Sequence, residues 1–256
     1  IVGTKIYSAI DLNELNKRIK QSLDKIKIVN KKLDYMLLHK PMAINMWLKL
    51  VEEKSKFNSI GVCNYNYDQL KELIDYTLSQ YPNFFNENSV IHQMEIHPFV
   101  DSDDLLELCK QYNIKVQAHT VLAQGNYFND PILLSIASSH NVSVATVMIA
   151  WVLSKKVDYI CLGVSSEKHL EECMLGKDLV LYQYEILQID NIHKSYIHRF
   201  YPNDYKPKTQ KKIDYLKTIH NNSYFDVDNY VTKIKEEMSA NISSKICEIF
   251  PPKGCM

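Results

Sequence analysis

Ser59-Ile-Gly-Val62, Val90-Ile-His-Gln-Met94 and Ile114-Lys-Val-Gln-Ala118 are three short, mostly apolar runs. Tyr67 to Leu78 and Ser102 to Tyr112 lie between them and read as helices, the second with Asp101 or Ser102 as its cap. Strand, helix, strand, helix, strand is the pattern of βα units, and it predicts a parallel sheet. The pattern extends both ways. Towards the N-terminus, Ile1 to Ile6 reads as a strand, and Leu12, Leu15, Ile19, Leu23 and Ile26 follow at helical spacing. Tyr35-Met-Leu-Leu38 then resembles a strand buried on both faces, and Met46 to Val51 starts a helix. Towards the C-terminus, Asp130 to Ser138 and Ser143 to Ser154 are helical, Tyr159 to Leu162 is a strand, and Glu167 to Cys173 begins a helix.

Six such units suit either an open doubly wound sheet or most of an eight-unit barrel. A dinucleotide-binding doubly wound sheet calls for Gly-x-Gly-x-x-Gly after its first strand. The chain has only 6 glycines and no such motif. The expected fold is therefore α/β, a (β/α)8 TIM barrel, of which the sequence shows about six βα units plus a C-terminal helical tail. The alternation stops near Leu179, and Tyr184 to His193 reads as a helix. Pro202, Pro207 and Lys206, Lys208, Lys211 and Lys212 then read as a solvated linker. Val227, Tyr230, Val231, Ile234 and Met238 give one more amphipathic stripe, expected to pack on protein because its polar face mixes signs. This divides the chain into a barrel over residues 1–200 and an extension of mixed loop and helix over residues 201–256.

Composition excludes more than it assigns. The 256 residues are 46% hydrophobic and 23% charged, enough for one sizeable core. Lys plus Arg equals Asp plus Glu at 30 each, so charge points to no nucleic-acid partner. No apolar run is long enough to span a bilayer and no signal peptide is evident, so no membrane partner is expected. Cys63, Cys109, Cys161, Cys173, Cys247 and Cys255 form no Cys-x-x-Cys pair and suit neither zinc nor a disulfide scaffold. They are expected to be reduced thiols of a cytoplasmic protein. The Asn-x-Ser triplets at Asn141, Asn221 and Asn241 are then chance matches.

The residues at the ends of the expected strands carry the chemistry. In order they are Gly3-Thr-Lys-Ile6, Leu33-Asp-Tyr-Met-Leu-Leu-His-Lys-Pro41, Ser59-Ile-Gly-Val-Cys-Asn-Tyr65, His92-Gln-Met-Glu-Ile-His-Pro98, Val116-Gln-Ala-His-Thr-Val-Leu122 and Leu162-Gly-Val-Ser-Ser-Glu-Lys-His-Leu-Glu-Glu-Cys173. In order and spacing these six motifs, over roughly residues 1 to 190, resemble the aldo-keto reductase superfamily. That family reduces aldehydes or ketones to alcohols by hydride transfer from a nicotinamide cofactor, with a tyrosine, a lysine, an aspartate and a histidine at its centre.

The resemblance implies roles position by position. Lys5 falls on the family's lysine, whose charge eases proton delivery to the forming alkoxide. His39 falls on the histidine that hydrogen-bonds the carbonyl oxygen. Cys63, Asn64 and Gln93 match the clamp on the nicotinamide carboxamide, with Cys63 in place of a serine. His119 stands where an aromatic ring stacks on the nicotinamide. Thr120 and Leu122 match the phosphate-side loop. Gly163, Val164 and Ser165 match a phosphate-binding Gly-Ala-Ser variant. Ser166 replaces a residue that is often basic and grips the 2′-phosphate, with Lys168 two places on. Glu172 matches an adenine contact, and Cys173 replaces an asparagine there. The implied cofactor is NADP(H) or NAD(H), and the implied partner a small-molecule carbonyl substrate. The family's aspartate and tyrosine would precede Ile1. The chain enters a strand without an initiating Met and is expected to be a fragment that lacks the first two βα units. An incomplete barrel edge is expected to associate with other chains.

Taken singly, these residues mean little. A lone Lys5 is an exposed strand end, a lone His39 a structural histidine, and a lone Gln93 a buried polar group bonded to backbone. Their joint placement at successive strand ends supports a reductase. The replacements at Cys63, His119, Ser166 and Cys173 support the alternative, a catalytically inactive barrel acting as a binding or structural subunit. His97 reads as structural and His92 as incidental, with no zinc spacing between them. Trp47 faces either the pocket or the core.

Overall fold

A computed structural model describes residues 2–7, 9, 11–26, 33–195 and 200. The lysine cluster, the Val227–Met238 stripe, Asn221, Asn241, Cys247 and Cys255 lie outside the described residues. Six strands alternate with helices: β1 (Gly3–Ile6), α1 (Leu12–Ile26), β2 (Leu33–Leu38), α2 (Ile44–Glu52), β3 (Phe57–Cys63), α3 (Tyr67–Gln80), α4 (Phe84–Glu87), β4 (Val90–Glu95), α5 (Asp103–Gln111), β5 (Lys115–His119), α6 (Pro131–Ser139), α7 (Val144–Ser154), β6 (Tyr159–Ile160), α8 (Glu167–Asp178), α9 (Gln183–Asp190) and α10 (Ile192–Ser195).

All six strands are parallel, in the order β1-β2-β3-β4-β5-β6. That order separates the two architectures left open above. A doubly wound sheet reverses its strand order at a switch point, which divides its helices between two faces. Here the order never reverses. Right-handed crossovers then place every helix on one side, and the sheet curls around its free face as a half-barrel.

Register shows which side chains share that free face. Lys5, Leu37, Gly61, Ile91 and Lys115 lie side by side across β1 to β5. One step along, Cys63, Gln93, Gln117 and Tyr159 do the same. Leu37, Cys63 and Ile91 form a buried cluster with Tyr35 and Tyr159 packed against it. Gly61 sits at the tightest point. A Cβ there would fall 1.9 Å from the Ile91 carbonyl oxygen and 2.9 Å from Leu37 Cδ2. The alternate residues Met36, Leu38, Ile60, Val62, Val90, Met94 and Ala118 are buried on the helix side.

The helices begin where local chemistry allows. Asp130 Oδ1 accepts from the Ile132 and Leu133 amides at 2.9 and 3.1 Å, with Pro131 in the first turn of α6. The Ser143 hydroxyl accepts from Thr146 N at 3.2 Å at the start of α7. Asn66 and Gln69 close a reciprocal capping box on α3. α7 is mostly apolar and is buried from Val144 to Val152.

Several local expectations change. Ser102 occupies the cap position of α5 but makes no side-chain cap bond. Asp101 Oδ1 instead accepts from Asp103 N, at 3.4 Å. The helix expected over 184–193 is two, broken at Asn191, whose amide closes onto Gln188 and Ile189. α4 was not anticipated. It forms because Phe84 and Phe85 are buried, with Phe84 edge-on to Trp47 at 6.2 Å. Trp47 is a core residue, fully buried, with its Nε1 donating to Thr77 Oγ1 at 2.8 Å. No single described helix is long and apolar enough to cross a membrane.

Candidate active site

The C-terminal ends of β1, β3, β4 and β5 bring polar side chains together on the free face. Lys5 Nζ donates to Gln93 Oε1 at 2.8 Å. β1 and β4 are three strands apart, which is about 14 Å in a flat sheet. A direct bond between their side chains is therefore a consequence of curvature. Gln93 is 3% exposed, and its Nε2 donates to Gln117 Oε1 at 2.6 Å. Two thiols complete its surroundings: Cys63 Sγ at 3.7 Å from Oε1 and Cys161 Sγ at 3.7 Å from Nε2.

A second group adjoins it. Asn64 follows β3 with φ of 60°, a left-handed conformation that asparagine tolerates better than most residues. Its Nδ2 donates to the His39 carbonyl at 3.2 Å, so its Oδ1 faces His119 Nε2, 2.8 Å away. His119 Nε2 therefore carries a proton. Nδ1 then accepts from the Thr120 hydroxyl at 2.8 Å. Burial pushes the His119 imidazole down to about 4, with Lys5, His39 and His97 adding to the shift and Glu95 opposing it. The ring is neutral at pH 7. His39 is shifted the same way, by burial first and then by the Lys5 charge. Its ring meets Tyr7 edge-on at 5.4 Å, and Lys40 Nζ lies 5.2 Å from the centre of the Tyr7 ring.

The loop after β5 is strained. Thr120, Ala123, Gln124 and Gly125 have φ of 56°, 46°, 54° and 79°. Three of the four carry a Cβ, and such runs cost energy that the surroundings must offset. Leu122 contributes its carbonyl, which accepts from Gly125 N at 2.8 Å.

The remaining expected residues stand apart. Gly163, Val164, Ser165 and Ser166 lie beyond β6, and all four are exposed. Ser166 caps α8 by accepting from His169 N at 3.2 Å, and Ser165 Oγ meets His169 Nδ1 at 3.0 Å. The backbone carbonyl of Glu172 accepts from Thr146 Oγ1 at 3.3 Å, tying α8 to α7. Cys63 is fully buried with its thiol pushed up to about 12 by burial, which makes it a poor thiolate. Burial also raises the Cys173 thiol.

Three partners were not singled out from the sequence. Gln117 and Cys161 share the inner face with Gln93. Glu95, 1% exposed, accepts from His97 Nε2 at 2.8 Å and from Phe200 N at 2.9 Å. His97 is thereby structural, as expected. The legible signal was alternation: Gln93 and Glu95 fall on one face of β4, and Lys115, Gln117 and His119 on one face of the otherwise apolar β5. His92 faces the helix layer, 3.7 Å from Cys109 Sγ. Among the described residues, no group of three or more His, Cys, Asp or Glu side chains could hold a metal ion. A groove of about 350 Å³ between α1 and α2, lined by Asn16, Lys20, Asp24, Lys49 and Glu53 among others, lies on the helix side away from this cluster.

Known proteins match this sequence and fold. The aldo/keto reductase family model matches residues 1–194. An uncharacterized oxidoreductase of Schizosaccharomyces pombe is 32% identical over 161 residues, covering 60% of this chain and 52% of the relative. Glyoxal reductase of Bacillus subtilis is 28% identical over 167 residues, covering 63% of this chain and 57% of the relative. The chain thus spans about half the length of these relatives. The solved structure of a Gox0644 mutant in complex with NADPH shares the fold, with a TM-score of 0.64 at 24% identity, covering 74% of this chain and 69% of that one. With the family model matched across every described strand, the chain belongs to the aldo/keto reductase family.

Proposed function

We propose that this chain supplies part of the active site of a carbonyl reductase, which converts aldehydes or ketones to alcohols with NADP(H) or NAD(H). The observation that carries the reading is the Lys5–Gln93 bond. It joins the expected proton-relay lysine to the expected carboxamide clamp at the C-terminal end of the sheet, the end where barrel enzymes keep their sites. The solved NADPH complex and glyoxal reductase among the relatives support it.

The donor set fits a nicotinamide carboxamide. Asn64 uses one N–H on His39 O and one lone pair on His119, so one donor and one acceptor remain. Gln93 spends one lone pair and one N–H only on weak thiol contacts, which a better partner can replace. The cofactor supplies the hydride. Asn64 and Gln93 orient the carboxamide, and the neutral His119 ring gives a flat uncharged face. His39 donates to the substrate carbonyl oxygen, and the Lys5 charge favours the proton delivery that neutralises the forming alkoxide. Ser165 and Ser166 offer hydroxyls to phosphate. The carbonyl substrate itself is a proposal on the same footing, as are association through the β1 and β6 edges and a cytoplasmic location.

The test follows NADPH oxidation with an aldehyde panel and cofactor binding by fluorescence, using the complete polypeptide. Lys5→Met and His39→Ala each lower turnover by about 100-fold or more with little change in cofactor affinity. Full activity in Lys5→Met removes the assignment. A second reading, an inactive binding or structural barrel, draws on one observation: both ends of the Asn64 amide are already bonded within the protein. It requires that NADPH not bind, and a micromolar dissociation constant rejects it.

A further inference from the structure

We propose that Thr120 is a positioning residue: its hydroxyl and the Asn64 amide grip the two nitrogens of the His119 imidazole, and hold that ring in one tautomer and one plane at the end of β5. Its purpose rests on the reading of His119 as the ring beside the nicotinamide, but the bonds themselves do not need the cofactor. The chain of donors and acceptors starts at a group that cannot turn. The His39 carbonyl is backbone and only accepts, so Asn64 must present Nδ2 to it, at 3.2 Å. Asn64 Oδ1 then faces His119 Nε2 at 2.8 Å, and an oxygen there requires the ring proton on Nε2. Nδ1 is left as a bare acceptor. The Thr120 hydroxyl rotates to suit its partner, and donates to Nδ1 at 2.8 Å. Asn64 therefore selects the tautomer, and Thr120 fixes the opposite edge of the ring.

Backbone bonds keep these groups in place. Asn64 N donates to Gln93 O at 2.9 Å, Ile96 N to His119 O at 3.2 Å and Ala123 N to Thr120 O at 2.8 Å. Thr120 has φ of 56°, a conformation that β-branched residues rarely adopt. Glycine or asparagine would make the turn at lower cost, so the turn alone does not account for a threonine there. The bond to Nδ1 does. The alternative is a residue that only shapes the loop, with its hydroxyl incidental to the ring. The two differ in what the ring nitrogens report when the hydroxyl is removed and the branched shape kept.

The experiment records two-bond proton–nitrogen correlations of the imidazoles in the complete polypeptide at pH 7 without cofactor. The His119 signals are assigned by their loss in His119→Phe. The unsubstituted protein is expected to show a protonated Nε2 and an unprotonated, hydrogen-bonded Nδ1. In Thr120→Val the proton stays on Nε2 and the Nδ1 resonance moves several parts per million downfield, as a bare ring nitrogen does on losing its donor. NADPH then binds about three- to tenfold more weakly, the loss of one neutral hydrogen bond. Thr120→Ser keeps the hydroxyl and restores both values, which a role in turn shape alone would not require. If Thr120→Val does not fold, Thr120→Ala, less crowded at positive φ, is read the same way. A proton on Nδ1 in the unsubstituted protein, an Nδ1 resonance or NADPH affinity unmoved in Thr120→Val, or equal changes in Thr120→Ser overturn the proposal. Failure of the unsubstituted protein to bind NADPH would instead overturn the cofactor reading, and the imidazole resonances would still decide this one.

Discussion

The ends of β1 to β5 and the segment from β6 through α8 belong to one repeating pattern, yet they hold their residues differently. At the first, Lys5, Gln93 and Gln117 form one run of bonds, and His39, Asn64, His119 and Thr120 another. Both runs tie together residues from different strand ends. At the second, the Ser165 and Ser166 hydroxyls meet His169, one helical turn on in the same segment. α8 carries Leu170, Met174 and Leu175 at 52%, 51% and 55% exposure, and Gly176 alone is buried. Gly176 is buried because α7 comes close there. A Cβ on Gly176 would lie 2.8 Å from Ile149 Cβ. The difference teaches that a motif places a residue on a strand end, while neighbouring strands decide whether it is held there.

Gly61→Val is the severest way to break the contrast. Its side chain would have to enter the space of the Ile91 carbonyl, and backbone cannot yield as a side-chain tip can. The expected outcome is loss of the cooperative melting transition in circular dichroism, with destabilisation above about 4 kcal/mol. A soluble variant with an unchanged melting temperature would show that β3 and β4 are not so closely apposed.

Acid should loosen the bonded region next. The folded pKa of His119 is about 4, below the ordinary 6.5. Between those values the unfolded chain binds a proton that the folded chain does not. The stabilisation is therefore complete above pH 6.5 and is lost as pH falls towards 4, amounting to at most about 3 kcal/mol. Urea midpoints measured from pH 7 to pH 4 should fall less steeply in His119→Phe than in the unsubstituted chain. Parallel curves would mean that His119 is not buried neutral.

The smallest effect belongs to α8. Leu175→Ser should change the stability of this chain by less than about 0.5 kcal/mol, since its side chain is largely in water already. A loss above about 2 kcal/mol in the urea midpoint series would show that α8 is covered, and the contrast would then need redrawing.

Much of the candidate site's placement was legible because side chains at strand ends obey a positional rule. Lys5, Asn64, Gln93 and His119 stand at strand ends in a recognisable order, and the structure brings these four into bonded contact, Lys5 with Gln93 and Asn64 with His119. Gln117 and Cys161 were passed over because each looks like filling until a register is known. Their meaning comes from the residue beside them on another strand. Trp47 is similar: its place after Pro41 left two directions open, and the Thr77 hydroxyl closed one. The break at Asn191 and the short α4 carry no strong periodic signal; α4 comes with the burial of its own Phe84 and Phe85.

By itself, then, the sequence determined the alternation of strands and helices, the family, and which chemical groups sit at the strand ends. These follow from local periodicity and chain order, which are properties of neighbouring residues. Only the tertiary structure decided the unreversed strand order, the curvature that lets Lys5 reach Gln93, and the polarity of the Gln93 amide. Each of these depends on hydrogen bonds between residues far apart in the chain, and no local pattern encodes which lone pair meets which proton.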